Sequence, residues 1–575
     1  MLTDYYKQEL RVLKDIAADF ARDNPSLSKS LSGATADPDA SRILEGVAFL
    51  TANIRQELDS QFPKLLHSLA QLVCPQYIRP MPSATIIAFE PKPSIAKELK
   101  IKAGTYIDSK ETAEGSCRFK TTESIDLLPL KLTSVSQLDQ NGNSGVVINL
   151  GFTLINQTLD QLPFNKIRLF LGGEYSDASD LYSLLFNQLQ QIKVVANGES
   201  YLNKTDISPT GFDKSQSLFP QPKGMMPAFD LIQQYFLFPQ KFLFIDLDLT
   251  NWVSRGAGDK FEIQFICDKP NFRMPKITRE HFVLHASPAV NLFDLESQSI
   301  LINAQHSEYQ LLPNKGSDGG EIQIYSVDHV ESHARGMQES RQYILFGGFT
   351  KPDGNTSVYE LNYQQSSTAY APDTFIKLAF GQEQQISKNE ILKAQLTCSN
   401  GQAAEKLSPG DICVATGNTP ELTTFRNVTT PTKARKIPLD GDMLWQLISH
   451  LSLNYLSITD SDTLKAILRQ YIAPDDRHKS DKLVNEKKIE SIDKLEVVAG
   501  ESLFANNFIH GQNIKIIIKS ENFECIGDKY LFGSVLDRFL SGTTTINVYT
   551  ELTFEDYFSG ERQLWPAKIG NRPLQ

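Results

Sequence analysis

Residues 37–83 read DPDASRILEGVAFLTANIRQELDSQFPKLLHSLAQLVCPQYIRPMPS, and this stretch predicts two consecutive amphipathic helices. Asp37 and Pro38 mark the start of the first helix, because an aspartate accepts bonds from the free amides of a first turn and proline suits the first helical position. Apolar residues then recur at steps of four, three, four and four, which places on one face Ile43, Val47, Leu50, Ile54 and Leu58. Pro63 begins a second helical repeat, and Pro75 ends it.

Another helix is predicted before this stretch. Its apolar residues follow the four-three alternation of a helix-packing seam, and they are Tyr6, Leu10, Leu13, Ala17 and Phe20. Two interpretations of this seam stay open. It packs on the helices of residues 38–74 in the same chain, or part of it packs against another chain.

The composition is that of a globular protein with several structural units. A length of 575 residues predicts three to five units, and 41% hydrophobic and 10% aromatic residues argue against extensive disorder. Lysine and arginine number 57 against 68 acidic residues, which gives a formal charge of −11 without a long run of either sign. This balance argues against a protein dedicated to binding nucleic-acid backbones.

The sequence predicts a cytoplasmic protein. No stretch approaches the roughly 20 apolar residues that a membrane-spanning helix needs, and charges interrupt the N-terminal segment MLTDYYKQELRVLKD where a signal peptide would be apolar. The cysteines lie far apart without a CxxC motif, which indicates reduced thiols, at positions 74, 117, 267, 398, 413 and 525.

From residue 84 the pattern changes to short strands separated by turn-forming residues. The predicted strands include Ala84 to Phe89, Val146 to Leu154, Ile167 to Leu171, Phe242 to Leu249 and Phe261 to Cys267. The aromatic segment from Tyr235 to Leu249 is interpreted as strand throughout. One helix is predicted around Asp180 to Gln190, and residues 203–228 are predicted to form a long excursion.

A second strand-rich region follows residue 288, and a mixed region follows residue 440. The predicted strands are Glu321 to Val327, Tyr343 to Phe346, Val358 to Tyr363, Phe375 to Phe380 and Leu392 to Cys398. The mixed region is predicted to contain helices at Met443 to Leu451, Asp462 to Tyr471 and Tyr530 to Leu540, and strands at Ile514 to Ile518 and Asn547 to Phe554. The predicted fold class is therefore multidomain α+β. Its predicted parts are a helical N-terminal region (1–83), two β-rich domains (84–287 and 288–439) and a C-terminal α+β domain (440–575).

Two histidine pairs at a spacing of four are candidate metal ligands. His281 and His285 lie in EHFVLHAS, a predicted strand, in which four residues separate the two rings by roughly 13 Å and prevent a shared ion. His329 and His333 flank Glu331 in a polar stretch that is predicted to be a loop, with no further ligand cluster beside it. The sequence therefore predicts no metal or other cofactor.

No motif of a known catalytic class is present. The sequence lacks GxxxxGK[ST], GxGxxG after a strand, GxSxG and HExxH. Its many carboxylates leave open a glycosidase-like pair in a β-rich fold, although nothing singles out any two of them.

Several long segments resemble one known family. They are the opening YYKQELRVLKDIAADFARDNPSL, the stretch 37–83, SPAVNLFD at 287–294, QIYSVDHV at 323–330, WQLISHLSLNYLS at 445–457, LFGSVLDRF at 531–539 and WPAKIGNRPL at 565–574. Together they resemble the TssF (VasA/ImpG) family of type VI secretion system baseplate subunits, in the family's order and over essentially the whole chain. Residues 341–349 lack the paired arginines of the family, and residues 398–411 diverge from its usual segment.

The resemblance implies a structural role without catalysis. TssF proteins are similar to wedge proteins of contractile-phage baseplates, and the implied partners are TssG, a second TssF copy, TssK, TssE, the VgrG hub and tube or sheath subunits. The assembled baseplate, docked at the inner-membrane complex, would start polymerisation of the inner tube and the contractile sheath. We expect a bundle shared with a second TssF or with TssG to include Tyr6, Leu10, Leu13, Ile43, Val47 and Leu50. The alternative class is a β-rich carbohydrate-active enzyme or effector-associated protein, which would show a convergent carboxylate pair in a deep cleft.

Overall fold

The computed structural model describes most of the chain after residue 78 and parts of the N-terminal region. The described residues are 6–7, 10–14, 16, 39, 42–52, 79–139, 145–161, 164–221, 227–253, 255–303, 306–314, 321–334, 340–346, 356–366, 371–380, 390–437, 458, 460–472, 479–504 and 507–570. The predicted second helix of residues 63–74 and the predicted helix at Met443 to Leu451 lie outside them.

The first part of the chain forms short strands and two helices. In chain order its strands are β1 (Ala84–Pro91), β2 (Leu99–Ile101), β3 (Tyr106–Ser109), β4 (Arg118–Thr121), β5 (Ile125–Leu127), β6 (Leu130–Asp139), β7 (Val146–Leu154), β8 (Lys166–Leu171), β9 (Leu189–Val195), β10 (Glu199–Leu202), β11 (Ile207–Thr210), β12 (Phe244–Asp248), β13 (Lys260–Cys267), β14 (Phe282–Leu284) and β15 (Ala286–Val290). The helices are α1 (Tyr175–Asn187) and α2 (Pro227–Leu237).

The middle part consists of strands. They are β16 (Phe293–Glu296), β17 (Ile300–Ile302), β18 (Tyr309–Gln310), β19 (Gln323–Ala334), β20 (Arg341–Leu345), β21 (Ser357–Gln364), β22 (Asp373–Ala379), β23 (Glu390–Ser399), β24 (Ile412–Ala415) and β25 (Thr423–Asn427). The last part contains α3 (Ser461–Arg469), α4 (Lys479–Glu490), β26 (Ile492–Phe504), β27 (Asn507–Ile518), α5 (Ile526–Thr543), β28 (Tyr549–Asp556) and β29 (Arg562–Ile569). The predicted α+β class is confirmed.

Alternating side chains explain the strands that the sequence predicted best. In β7 every second residue from Val146 to Leu154 is buried, and in β13 the residues from Phe261 to Cys267 follow the same alternation. The two strands pair antiparallel, with Phe261 opposite Phe152 and Phe265 opposite Ile148. A period of two buries one face of a sheet and exposes the other, so the apolar residues of both strands meet in one core.

The strands form sheets that combine distant parts of the chain. One has the order β24-β3-β4-β15-β1-β25, and so takes strands from residues 84–121, 286–290 and 412–427. The other sheets are β10-β9-β13-β7-β6, β11-β12-β8-β14, β16-β23-β19-β20-β21-β22-β18 with β17 on β23, β2-β5, and β26-β27-β28-β29. The predicted division after residues 83, 287 and 439 stays a prediction.

The largest hydrophobic core joins the first and the last parts of the chain. It contains residues of α1 and α2 together with residues of α3, α5 and the β26–β29 sheet. Tyr182 of α1 lies 6.0 Å from Tyr530 of α5 between ring centroids, and Phe229 of α2 lies 5.4 Å from Phe539. At Gly527, an added Cβ would lie 2.0 Å from the carbonyl carbon of Ser179, so α1 and α5 touch at their backbones.

The prediction that the segment from Tyr235 to Leu249 is a strand throughout is wrong. Tyr235 belongs to α2, Pro239–Phe242 form a 3-10 turn, and only Phe244–Asp248 pair as a strand. Helix α2 is buried on all sides, from Ala228 to Leu237. Its polar residues Asp230, Gln233 and Gln234 have helical spacing but are buried as well, and the aromatic run that follows them favoured a strand.

The backbone predicted around the two histidine pairs is right only in part. Within EHFVLHAS, strands are present at Phe282–Leu284 and from Ala286, as predicted, but neither histidine lies in them. His281 ends a 3-10 turn, and His285 separates β14 from β15 with a φ of 52°. His329 and His333 lie in strand β19, and not in a loop. The polar composition that favoured a loop arises because these residues occupy the accessible face of a sheet.

None of the helices in the described ranges has the length and apolar character that a bilayer span requires.

Candidate interaction surface

Residues 42–52 form a helix whose large apolar side chains face outward. Successive helical residues are about 100° apart, so Ile43, Val47 and Leu50 share one face, with Ala48 and Ala52 on the opposite face. Ala48 and Ala52 are both 0% exposed, whereas the exposed fractions of Ile43, Val47 and Leu50 are 67%, 43% and 63%. The chain therefore buries the small residues of this helix and leaves its large apolar stripe accessible. We call Ile43, Val47 and Leu50 the outward stripe.

The earlier N-terminal residues are only partly covered. Tyr6, Leu10 and Leu13 are helical and half-buried. Val12 and Ile16, between and after them, are 48% and 58% exposed. The predicted site residues thus fall into two groups. This chain half-covers Tyr6, Leu10 and Leu13, whereas it leaves the outward stripe accessible. Participation of any of these six residues in a bundle stays a prediction.

Burying the outward stripe against another protein would release substantial free energy. Complete burial of an isoleucine, valine or leucine side chain is worth about 1.5–3 kcal/mol. A surface helix of a monomer normally turns such residues toward its own core. The reversed arrangement is typical of a helix that completes its packing with another chain.

A second cluster, buried and charged, was not found from the sequence. Arg168 on β8 binds Asp246 on β12 through Nε to Oδ1 at 2.7 Å and through Nη2 to Oδ2 at 3.0 Å, and its Nη1 donates to Glu123 at 2.6 Å. Lys166 also contacts Asp246 Oδ2 at 2.7 Å. Both carboxylates line a cavity of about 400 Å³.

Arg168 holds this carboxylate pair in ion pairs, and the pKa values of the two groups move in opposite directions. Burial alone would raise the pKa of Asp246, but the hydrogen bonds and charges of Arg168 and Lys166 outweigh it and lower that pKa. Burial raises the pKa of Glu123 despite Arg168 and Lys241. Asp246 has ion-pair partners on both oxygens, and Glu123 Oε2 also accepts from Gln216, so the arrangement fastens strands together. Charged residues flanked by apolar ones, Arg168 in KIRLFL and Asp246 in FIDLD, are the sequence signal for this cluster.

The two members of the first histidine pair lie in separate environments. His281 Nδ1 accepts from the backbone amide of Thr278 at 3.0 Å, and its Nε2 lies 3.9 Å from Asp177. His285 Nε2 accepts from the backbone amide of Leu128 at 3.1 Å. Burial lowers the pKa of His285 to about 4.

We expect His285 to make the protein sensitive to acid. The unfolded chain takes up a proton on this imidazole near pH 6.5, whereas the folded chain resists protonation until about pH 4. The unfolded state then binds more protons in this window, so the free energy of unfolding falls as the pH drops. Between pH 6.5 and 4, the wild type should lose about 3 kcal/mol more than the His285→Gln variant. Urea unfolding of both proteins across this range measures the difference, and parallel pH curves would contradict it.

The second histidine pair lies on one face of β19, on either side of Glu331. His333 Nε2 lies 3.2 Å from Glu331, and His329 Nε2 lies 3.9 Å from the same carboxylate. These contacts lower the pKa of Glu331, with the hydrogen bond from His333 as the largest cause. Within the described parts of the chain, no group of three or more histidine, cysteine, aspartate or glutamate residues is arranged to hold a metal ion.

Comparison with known proteins gives one consistent result. The family described as "Type VI secretion system, TssF" matches residues 1–572. The type VI secretion system component TssF1 of Pseudomonas aeruginosa is 25% identical over 627 residues, which cover 100% of this chain and 99% of that protein.

Two solved structures have a similar fold. A chain of the TssK–TssF–TssG baseplate subcomplex, determined by cryo-electron microscopy, gives a TM-score of 0.78 at 26% identity, over 92% of this chain and 99% of that chain. A chain of the baseplate complex from the type VI secretion system gives a TM-score of 0.60 at 19% identity, over 100% of both chains. The second likeness concerns the fold alone.

Proposed function

Because the chain belongs to the TssF family of type VI secretion system baseplate components, we propose that it acts by binding other subunits and performs no covalent chemistry. In this proposal it assembles with TssG, TssK and a second TssF copy into a baseplate wedge. The similar chain in the TssK–TssF–TssG subcomplex supports TssG and TssK as partners. The proposed site of work is the cytoplasm, where TssK would connect the wedge to the inner-membrane complex.

The outward stripe is the observation that best supports this proposal. It presents three large apolar residues on a helix whose opposite, small-residue face is already buried in this chain. A helix in that position fits an apolar groove between helices of another chain. We assign the bundle to the six predicted residues Tyr6, Leu10, Leu13, Ile43, Val47 and Leu50. The first three, being half-buried, would contribute less contact area than the stripe.

More distant assembly steps follow from the same proposal. Wedges would join TssE and surround the VgrG hub, and the complete platform would then start polymerisation of the inner tube and the sheath. The segment 203–228 is proposed to accommodate changes of shape during firing. Its described part is held locally, since Asn203 with Asp206 and Asp213 with Gln216 form capping boxes.

Charged residues in the outward stripe should abolish assembly. In the variant Val47→Glu/Leu50→Glu, two carboxylates would have to be buried in an apolar groove, which is unfavourable without partners for their charge. We expect the amount of TssG and TssK that co-purifies with the full-length chain after co-expression to fall at least tenfold. Size-exclusion chromatography measures this loss.

A matched variant separates binding from general effects of an added charge. Val253 is 85% exposed and lies far along the chain from the stripe. The Val253→Glu variant should therefore retain both partners. If the stripe variant keeps its partners while its circular dichroism matches the wild type, the assignment of the stripe to the bundle is wrong.

The enzyme alternative has less support. The convergent carboxylates that it requires exist as Glu123 and Asp246, but Arg168 binds both of them. Their pKa values shift in opposite directions, as an acid–base pair would require. Lys166 and Gln216 also bind these carboxylates, however, which favours a structural role. A subunit that binds other subunits accounts for the exposed apolar residues of the outward stripe, whereas an enzyme hypothesis gives no reason for them.

A further inference from the structure

An open cleft with unpaired positive charge lies beside the six-stranded sheet. It has a volume of about 510 Å³ and lies between strand β4, the segment 214–221 and the end of strand β15. Lys120 and Lys214 line it from two sides, while Phe219 and Leu292 belong to its apolar lining. We call it the lysine cleft. It adjoins the cavity of Arg168, with which it shares Ala103, Thr122 and Ser215.

The two lysines have no acidic partner among the described residues. Neither is in an ion pair with the described chain, and Lys120 Nζ lies 6.0 Å from the centroid of the Tyr106 ring. None of the described residues that line the cleft is acidic. In contrast, the neighbouring Lys110 and Arg118 pair with Asp411 and Asp108. The lysine cleft is thus a local site of positive charge on a chain with a net charge of −11.

The wall of the cleft is held in place before any ligand binds. Gln216 Oε1 accepts from the amide of Gly211 at 2.8 Å, and Ser217 Oγ donates to Asp230 at 2.7 Å. The amide of Leu218 donates to Gln234 at 3.2 Å, and Arg79 Nη1 donates to the carbonyl of Pro220 at 3.1 Å. A wall fixed in this way binds a ligand with less loss of conformational entropy.

We propose that the lysine cleft binds an acidic segment of a partner subunit. A carboxylate of that segment is held by the ammonium groups of Lys120 and Lys214, and an apolar side chain next to it packs on Phe219. The mixed character of the cleft favours a protein segment, because an apolar lining beside the cations does not match a phosphate backbone. The negative charge of the chain as a whole also disfavours extended polyanions. This inference rests on the proposed function, since it concerns a contact within the same assembly.

Amine footprinting of the assembled complex tests the proposal. The full chain, alone and in complex with co-expressed TssG and TssK, is labelled with an acetylating amine reagent, and each lysine is quantified by mass spectrometry. Labelling of Lys120 and Lys214 should fall at least fivefold on assembly. Lys131, an exposed lysine of β6 outside the cleft, is the reference for general changes in reactivity. A water-soluble carbodiimide should then couple Lys120 or Lys214 to an aspartate or glutamate of a partner chain.

A charge-reversal variant gives the second measurement. Lys120→Glu/Lys214→Glu should lower the retention of a partner about tenfold at moderate salt, whereas Lys131→Glu should leave it unchanged. If the complex forms but the labelling of both cleft lysines is unchanged, the inference is wrong and the proposed function stands. If the wild-type chain forms no complex, the proposed function fails, and this inference fails with it.

Discussion

Replacement of Asp528 by alanine is expected to destabilise the protein by about 3–5 kcal/mol, because it leaves a buried lysine without its counter-charge. Asp528 lies in the first turn of α5 and is 0% exposed. Its Oδ1 accepts from Lys488 Nζ of α4 at 2.6 Å and from the hydroxyl of Tyr175 of α1 at 2.6 Å. The hydroxyl of Tyr235 of α2 lies 3.4 Å from the same oxygen. One carboxylate therefore connects four helices.

The surroundings of this ion pair make its loss costly. Lys488 Nζ lies 5.6 Å from the ring centroids of both Tyr175 and Tyr235, so the cation is enclosed by aromatic faces. Burial and the charge of Asp528 raise the pKa of both tyrosine hydroxyls, which stay protonated and donate to the carboxylate. Without Asp528, the ammonium group and two hydroxyl groups lose their acceptor together.

Chemical denaturation of single and double variants measures this effect. The Lys488→Met/Asp528→Ala double variant should be more stable than Asp528→Ala alone, by about 2 kcal/mol, because it no longer buries an unpaired charge. Lys494, which pairs with Glu496 on the surface at 2.7 Å, provides the control. Lys494→Ala should have no measurable effect. Equal stability of the double variant and Asp528→Ala would show that the ion pair does not determine the cost.

Replacement of Gly527 by alanine should cost about 3 kcal/mol or more, since a methyl group at this position has no space. Its Cβ would lie 2.0–2.2 Å from the carbonyl group of Ser179 and the amide nitrogen of Asp180. These are backbone atoms of α1, so α1 and α5 would have to separate. Separation would also break the hydrogen bond from the Gly527 amide to Asp180 Oδ1, which is 2.7 Å long.

The same substitution at an open position is the control for Gly527. Around Gly198 no atom lies within 4 Å of an added Cβ, and its backbone is not in the left-handed region. Gly198→Ala should change the free energy of unfolding by less than about 0.5 kcal/mol. A cost below about 1 kcal/mol for Gly527→Ala would argue against the close contact of α1 and α5.

Side-chain periodicity explains which elements were predictable from the sequence. The bounds of β7 match the prediction of Val146 to Leu154, since its alternation is uninterrupted. Helix α2 was missed because its polar residues are few and buried, and the aromatic residues at its end favoured a strand. The pairing of β1 with β25 could not be predicted either, because neither strand's sequence indicates which strand, more than 300 residues away, it pairs with.

Periodicity also limited the prediction of the candidate site. The spacing of Ile43, Val47 and Leu50 placed them on one face, but spacing does not tell which face the chain itself covers. Ala48 and Ala52 are equally periodic, and they are the buried residues. The burial of Lys488 could not be predicted for a similar reason. This residue lies in the lysine-rich helix KSDKLVNEKKIE, and the sequence does not distinguish a buried lysine from exposed ones.

The six-stranded sheet has a consequence for how the protein is made. Strand β1 pairs with β15 on one side and with β25 on the other, through Ile87 opposite Asn427 and Phe89 opposite Phe425. At roughly 5–20 residues per second, the ribosome needs about 15–70 s to proceed from β1 to β25. During that time the edge of β1 is open to wrong partners. The sheet is therefore completed only late in synthesis, after β25 has emerged.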